Sequence, residues 1–371
     1  MPLDLFIIAG EPSGDLQGSK LIEELLKLHP HLKIGAVAGP RMRMHPIETF
    51  FPMENLQVMG FIDVLFALPK IIKQFRAIRK KIFQLQPRAV VCIDYPGFNL
   101  RLEQSLRKKG YTGKLIHYVC PTVWAWGKKA IPKMAKTLDL LIPLFPFEKK
   151  CFESTTLPVK YFGHPLVSAI RSFIPNPLFQ KGKILAIFPG SRETEISRNF
   201  PLQLKIAYTL QSLDPELKIA VSIAHPHREE QIRTLAPNAL LIPPEQNYDL
   251  MHSAHLALAK SGTVTLELAL HHIPTIVNFA IRPIDVFIAQ RIFKINLPFY
   301  CIVNIIGSKE IFPEFFGPNL TEHSLFNAAK KLWFDESSRK ICMQGCNEVK
   351  NLLGEGKASV AAAQEILKTL N

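Results

Sequence analysis

Short apolar runs alternate with stretches of helical periodicity, and this alternation restricts the fold more than any other feature of the chain. The segments LDLFIIAG, KIGAVAG, RAVVCIDY, GKLIHYVC and LDLLIPLF have the length and branching of strands, with helical patterns near 15–28, 63–85 and 98–109 between them. Such an order specifies a parallel sheet covered by helices on both faces. The pattern breaks at SFIPNPLFQKGK, proline-rich and aperiodic, then restarts with GKILAIFPGSRETEI, LKIAVSIA, NALLIPP, AHLALAKSGT and IPTIVNFA. A chain of 371 residues is too long for one ordinary core. The expectation is therefore an α/β protein with two Rossmann-like lobes, 1–170 and 171–345. Terminal helices over 346–371, broken at Gly354 and Gly356, are expected to pack back on the first lobe. Ligands of open α/β sheets bind beyond the carboxyl ends of the strands, so the strand-to-helix loops facing a cleft between the lobes are the candidate sites.

A formal net charge of +14 favours anionic partners: nucleic acid, an acidic membrane surface or phosphorylated substrates. With 47% hydrophobic residues the chain has ample material for its cores, and disorder is not expected. Six cysteines stand at 92, 120, 151, 301, 342 and 346 without a C-x-x-C pair, which suits a reducing compartment. The amino terminus has no secretory pattern, and no window of about 18 uninterrupted apolar residues predicts a membrane span.

In the first lobe, AGEPSGD places Glu11, Ser13 and Gly14 where a strand turns into a helix. Two readings stand side by side: Ser13 or Asp15 caps the helix amides, or Glu11 holds a sugar hydroxyl. Asp94 lies at the tip of the third strand before a Pro-Gly turn, with Asn99 at the next helix start. It is a candidate general base, the alternative being a bond to loop amides or to Arg101. Trp124 and Trp126, followed by Lys128, Lys129 and Lys133, could cover a sugar face and meet phosphate, or form packing and a solvated helix face.

In the second lobe, Gly190, Ser191 and Arg192 directly follow a strand and can present amides, a hydroxyl and a bidentate cation to a diphosphate. Arg192 could instead pair with Glu193 or Glu195. Ser261, Gly262 and Thr263 form a second turn into a helix, and Glu267, about one turn on, can hold two ribose hydroxyls. Asn304 and Glu310 on a late irregular segment carry a weaker signal, since a capping asparagine and an exposed glutamate would look the same.

The segment 60–83 combines Phe61, Ile62, Leu65, Phe66 and Leu68 with a run of lysines and arginines. An apolar face flanked by cations suits an anionic bilayer, whereas a core helix with a basic outer face explains its second half equally well. No H-E-x-x-H or Gly-x-Ser-x-Gly pattern occurs, so neither a metal nor a serine-hydrolase site is expected.

Taken in order, AGEPSGD, AVAGPRM, VMGF, IDYPGFNLRL, IHYVCPTVWAW, LFPFE, FGHPL, FPGSRETEI, SGTVTLE and NIIGSKE resemble the lipid-A-disaccharide synthases, inverting glycosyltransferases of the two-lobed GT-B type. The resemblance implies transfer of diacylglucosamine from a UDP-diacylglucosamine donor to a diacylglucosamine 1-phosphate acceptor, giving a β-1,6 disaccharide and UDP. It also implies Glu11, Asp94, Arg192 and Asn304 as essential residues, no cofactor, no nucleic acid, and a cytoplasmic protein peripherally bound to the inner membrane's cytoplasmic face. A homodimer is allowed for. The chain departs from the family pattern at Gly97, Cys120, Gly127, Lys260 and Val303, which bears on substrate contacts. Two further readings accompany this one: a UDP-sugar epimerase of the same architecture, and a basic membrane-binding protein without catalysis.

Overall fold

A computed structural model describes residues 3–56, 61–125, 127–281 and 297–370, and the side chains of all of these except 61–67. The chain divides into two compact units, Met1–Pro165 with Gly354–Asn371, and Leu166–Leu353.

Unit 1 is built on strands β1 (Leu5–Ala9), β2 (Ile34–Ala38), β3 (Glu48–Pro52), β4 (Ala89–Ile93), β5 (Lys114–Tyr118) and β6 (Leu140–Ile142). They form one sheet in the order β3-β2-β1-β4-β5-β6, and β1 runs parallel to both β2 and β4. Every residue of β1 and β4 is buried, as a central strand covered on both faces requires. Side-chain alternation then divides β1 between two cores. Leu5, Ile7 and Ala9 meet Leu21, Ile22 and Leu25 of α1 (Pro12–Leu28). Phe6 and Ile8 meet Ile78 and Ile82 of α2 (Phe61–Leu85) and Phe98, Leu102 and Leu106 of α3 (Pro96–Lys108). The short helix α4 (Ile131–Thr137) follows β5, and α5 (Pro165–Arg171) begins at the boundary and runs into unit 2.

The helix Ala358–Leu370 completes the first of those cores with Ala362, Ala363 and Ile366. Its return begins at Gly354 rather than at 346. The helix Glu336–Leu352 runs through the expected boundary and stays in unit 2, and Gly354, at φ +83°, takes the left-handed conformation that ends it.

Unit 2 repeats the plan with β7 (Ile184–Phe188), β8 (Lys218–Ser222), β9 (Leu240–Ile242), β10 (Leu256–Lys260), β11 (Thr275–Phe279) and β12 (Glu314–Phe316), in the order β12-β11-β10-β7-β8-β9. Counted from β7 and read in reverse, this is the strand order of unit 1. Its helices include α6 (Glu193–Leu213), α7 (Glu229–Leu235), α8 (Asn247–Ser253) and α9 (Thr263–Leu270). The proline-rich stretch after α5 is tied to this unit, because the Asn176 N–H donates to the Asp249 carboxylate at 2.7 Å.

Each sheet therefore reverses its winding once, between β1 and β4 in unit 1 and between β7 and β10 in unit 2. That reversal opens a crevice at the carboxyl ends of the strands. All six cysteines are free thiols, five of them buried, including Cys342 and Cys346. No described helix is long and apolar enough to cross a membrane. Of the apolar group proposed for bilayer contact, Leu68 is exposed, and Ile72 one turn on is exposed too. The side chains of Phe61, Ile62, Leu65 and Phe66 lie outside the described residues.

Candidate functional site

The crevice of unit 1 is lined by the loops after β1 and β4. Asp94 and Tyr95 both adopt left-handed backbone conformations, φ 51° and 49°, which cost energy in non-glycine residues and must be held by their surroundings. Asn99 does the holding. Fully buried on α3, it donates from its side-chain amide to the Asp94 carbonyl at 2.7 Å and to the Ile93 carbonyl at 3.3 Å. Asn99, which the sequence places at the start of this helix, thus lies beneath the loop.

Ser13 Oγ donates to Asp94 Oδ2 at 3.4 Å, so the two expected residues do meet. Gly14 allows this approach, since an added Cβ would come within 3.3 Å of the Ile93 carbonyl. Glu11 is the exposed N-cap residue of α1 and makes no side-chain cap. Asp15 does not cap the helix either. Its carboxylate accepts from the Arg41 and Met42 amides at 2.9 and 3.1 Å, pinning the loop after β2 onto α1. The Tyr95 ring lies over Gly10, where a Cβ would fall 2.2 Å from it, and its hydroxyl donates to the Leu56 carbonyl at 3.0 Å.

One acid in this region carried no assignment from sequence. Glu148 is buried after β6 and accepts from the Leu144 and Phe145 amides at 3.2 and 3.0 Å. Burial pushes its carboxyl up to about 8, against those two amides and Trp124, while the Asp94 charge adds to the rise. The sequence signal was the LFPFE string, which said nothing of burial.

In unit 2 the loops after β7 and β10 line a pocket of about 280 Å³. It gathers six expected residues, Gly190, Ser191, Ser261, Gly262, Thr263 and Glu267, with Ser222 and Asn247 at β8 and α8. Gly190 has φ +120°, a conformation open to glycine, and there the chain turns into α6. Glu195 fills the space beside it, accepting from the Ser191 and Arg192 amides at 3.1 and 3.4 Å. The Lys260 ammonium, also facing the pocket, completes this grip at 3.0 Å from Glu195 and stands 4.6 Å above the Phe279 ring. Arg192 is the N-cap of α6, its side chain 81% exposed and 3.8 Å from Glu195, and it does not line the pocket. Glu193 turns to Arg228 at 3.0 Å.

Glu267 accepts from the Tyr248 hydroxyl at 3.1 Å, and burial raises its carboxyl above the ordinary range. Behind the pocket, Gln203 donates to Asn278 at 2.8 Å and Asn278 to Asn199 at 3.1 Å, a buried chain of amides linking α6 to β11.

Asn304 and Glu310 are elsewhere. Asn304 is fully buried and occupied: its Oδ1 accepts from the Ile311 and Phe312 amides, and its Nδ2 donates to the Phe312 carbonyl and to Glu314. It clamps the turn before β12. Glu310 borders a separate hollow of about 430 Å³ with Lys309, Lys331 and Cys342. Among the described residues no three His, Cys, Asp or Glu side chains come together as metal ligands would.

A family model for lipid-A-disaccharide synthetase matches residues 5–367. The lipid-A-disaccharide synthase of Chlamydia trachomatis serovar D is 38% identical over 369 residues, covering 96% of this chain and 60% of that protein. The one from Rhodospirillum centenum is 34% identical over 383 residues, covering 100% of this chain and 95% of that protein. The chain thus spans about six-tenths of the length of the chlamydial relatives. Among solved structures, a kitacinnamycin glycotransferase superposes with a TM-score of 0.64 at 12% identity, covering 100% of both chains. The UDP-GlcNAc 2-epimerase of Neisseria meningitidis bound to UDP-GlcNAc gives 0.61 at 14% identity over 99% of this chain and 100% of that one. At such identities the likeness speaks for the fold, two Rossmann-like lobes of the GT-B type. With nearly its whole length matched, the chain belongs to the lipid-A-disaccharide synthetase family.

Proposed function

We propose that the chain is an inverting glycosyltransferase that moves diacylglucosamine from its UDP derivative to the 6-hydroxyl of diacylglucosamine 1-phosphate. The observation that carries this reading is the chemistry at the two winding reversals: carboxylates in unit 1, cation and helix-start amides in unit 2. Unit 2 takes the nucleotide. The amides at Gly262 and Thr263 open α9 toward the pocket, and together with Lys260 and the Ser191 region they offer positive potential to a diphosphate. Glu267, braced by Tyr248, faces the same pocket and suits paired ribose hydroxyls. The uridine diphosphate of the N. meningitidis epimerase's ligand fits this reading.

Unit 1 takes the acceptor. Asp94, steadied by Asn99 and Ser13, removes the proton from the 6-hydroxyl as that oxygen attacks the anomeric carbon of the donor. The bond from that carbon to the diphosphate oxygen breaks on the opposite face, and the electron pair leaves with UDP. Charge growing on the leaving oxygen is met by the preorganised donors of unit 2; one such contact is typically worth on the order of 10²–10³ in rate. Exposed Leu68 and Ile72, with Lys70 and Lys73 beside them, support peripheral attachment to an anionic membrane surface through the start of α2. A homodimer belongs to the same expectation.

The test is mass spectrometry of products from UDP-diacylglucosamine with and without the monophosphate acceptor. Disaccharide and UDP only when both are present is the expected result. Isomerised donor without acceptor would make the chain an epimerase, and no turnover would leave a binding protein.

A further inference from the structure

Beyond Asp94, unit 1 holds a pair of cations that the mechanism above does not use. Lys20 lies half-buried on α1 and Arg41 exposed on the loop after β2, within electrostatic range of one another. They are fixed in that relation by Asp15, which sits just over one turn before Lys20 and grips the Arg41 amide at 2.9 Å. Gly18 supports the same contact, since a Cβ there would meet Met42 at 2.6 Å.

Among the described residues neither side chain forms a direct ion pair, and the Glu23 charge that acts on Lys20 is shared with Lys27 and His45. Glu23 itself is bonded to Lys27 at 2.7 Å. The neighbouring Arg43 differs, being matched to Glu54 by two bonds at 2.6 and 3.2 Å. Holding two like charges together is unfavourable, and burial with Arg41 depresses the Lys20 ammonium, a fall that Glu23 offsets only in part.

An aromatic row leads up to this pair. Trp124 meets Phe147 edge-on with ring centres 5.2 Å apart; Phe147 stacks on Phe145 at 5.6 Å; Phe145 stacks on His164 at 5.2 Å. His164 in turn stands beside Lys20, its imidazole kept neutral by burial and by that ammonium. The three leading rings are only half-buried. At the other end, Ser13 touches Asp94, and Lys20 is seven residues further along α1, about 10 Å by helical rise. Helical side chains lean back toward the amino terminus, which brings the Lys20 ammonium closer to Asp94 than its backbone is.

We propose that Lys20 and Arg41 form the binding site for the phosphate monoester of the acceptor sugar, with the row Trp124, Phe147 and Phe145 flanking the molecule that carries it. This inference rests on the transferase reading and adds to it what distinguishes the acceptor from other hexosamines. A sugar whose 6-hydroxyl meets Asp94 presents its anomeric substituent at the far side of the ring, toward the two cations. A dianion there relieves their mutual repulsion, and each charge-assisted bond is typically worth tenfold or more in affinity.

The experiment uses the full chain and two acceptors, diacylglucosamine 1-phosphate and the same sugar with a free 1-hydroxyl. The wild-type protein is expected to favour the phosphate-bearing acceptor in kcat/KM by at least about tenfold. Lys20→Gln and Arg41→Gln should each raise the KM for that acceptor about tenfold. The donor KM and the rate with the hydroxyl acceptor should stay unchanged, and the double variant should lose the preference. Undiminished preference in the double variant overturns the inference.

A binding arm works even without turnover: glucosamine 1-phosphate titrated into the protein should bind the wild type and not the double variant, and equal binding also overturns it. Absence of disaccharide in the wild type, with this binding difference intact, would defeat the transferase reading alone. Sedimentation with phosphatidylglycerol vesicles separates a lipid headgroup as the source. Equal sedimentation of wild type and double variant is expected, and lost sedimentation with retained acceptor preference would overturn the assignment.

Discussion

The reversal between β1 and β4 and the one between β7 and β10 occupy the same place in the same strand order, yet they present opposite faces to a ligand. In unit 1 the crevice carries Asp94 and Ser13, and the Tyr95 ring covers the backbone at Gly10. In unit 2, among the described residues and apart from its chain neighbours, nothing lies within 4 Å of the Cβ position at Gly262, and the loops open onto a pocket with Lys260 at its wall. Strand order decides where a site forms; the few loop side chains decide which ligand it accepts.

The sharpest way to break this division is at Asp94. Asp94→Asn is expected to lower transfer by about 10²–10⁴ while UDP binding by calorimetry stays at the wild-type value. A matching loss of UDP affinity would mean that the two crevices do not divide the labour.

Glu148 tests the acidic side by pH. Its folded carboxyl titrates at about 8, well above an ordinary glutamate, so between roughly pH 4.5 and 8 the folded chain binds a proton that the unfolded chain has released. Stability from this group is therefore fully present below about pH 4.5 and is lost as pH rises toward 8. A tenfold difference in proton affinity between the folded and unfolded chain is worth about 1.4 kcal/mol. Glu148→Gln, which can still accept from both amides, should flatten that fall by a few kcal/mol in denaturant titrations at pH 5 and pH 8. Parallel curves for the two proteins would count against a buried neutral acid.

The two glycines give a stability contrast. Gly10→Ala should destabilise by about 1–3 kcal/mol through collision with the Tyr95 ring, whereas Gly262→Ala should leave the melting temperature almost unchanged. Equal effects would remove the distinction between a filled and an open crevice. The smallest expected change is in the cationic pocket, where Lys260→Met should weaken UDP about tenfold without altering acceptor KM.

Much of this plan was readable from local pattern. Buried strands such as LFIIA and AVVCI announce themselves because both faces are covered, and the turns at Gly190 and Gly262 because a glycine stands two residues past a strand. Residues whose role depends on distant partners were not readable in this way. Asn99 and Asn304 look alike as ligand contacts or as clamps until the carbonyls and amides they bind are known. Asp15 passed for a helix cap because its partners at Arg41 and Met42 lie a strand away. Glu148 was overlooked because its charge state follows from burial, a property of the assembled core. Lys260 stood out only as a departure from the family pattern, and its grip on Glu195 became visible in three dimensions.

The return of the last helix to unit 1 has a consequence for synthesis. Ala362, Ala363 and Ile366 belong to a hydrophobic cluster that also contains Leu5 and Leu21, so that cluster stays incomplete until residue 366 has been synthesised. Unit 2, whose residues 166–353 are contiguous, can assemble while the nascent amino-terminal sheet still waits for its closing piece. Truncation ahead of Ala358 would leave unit 1 without a finished interior.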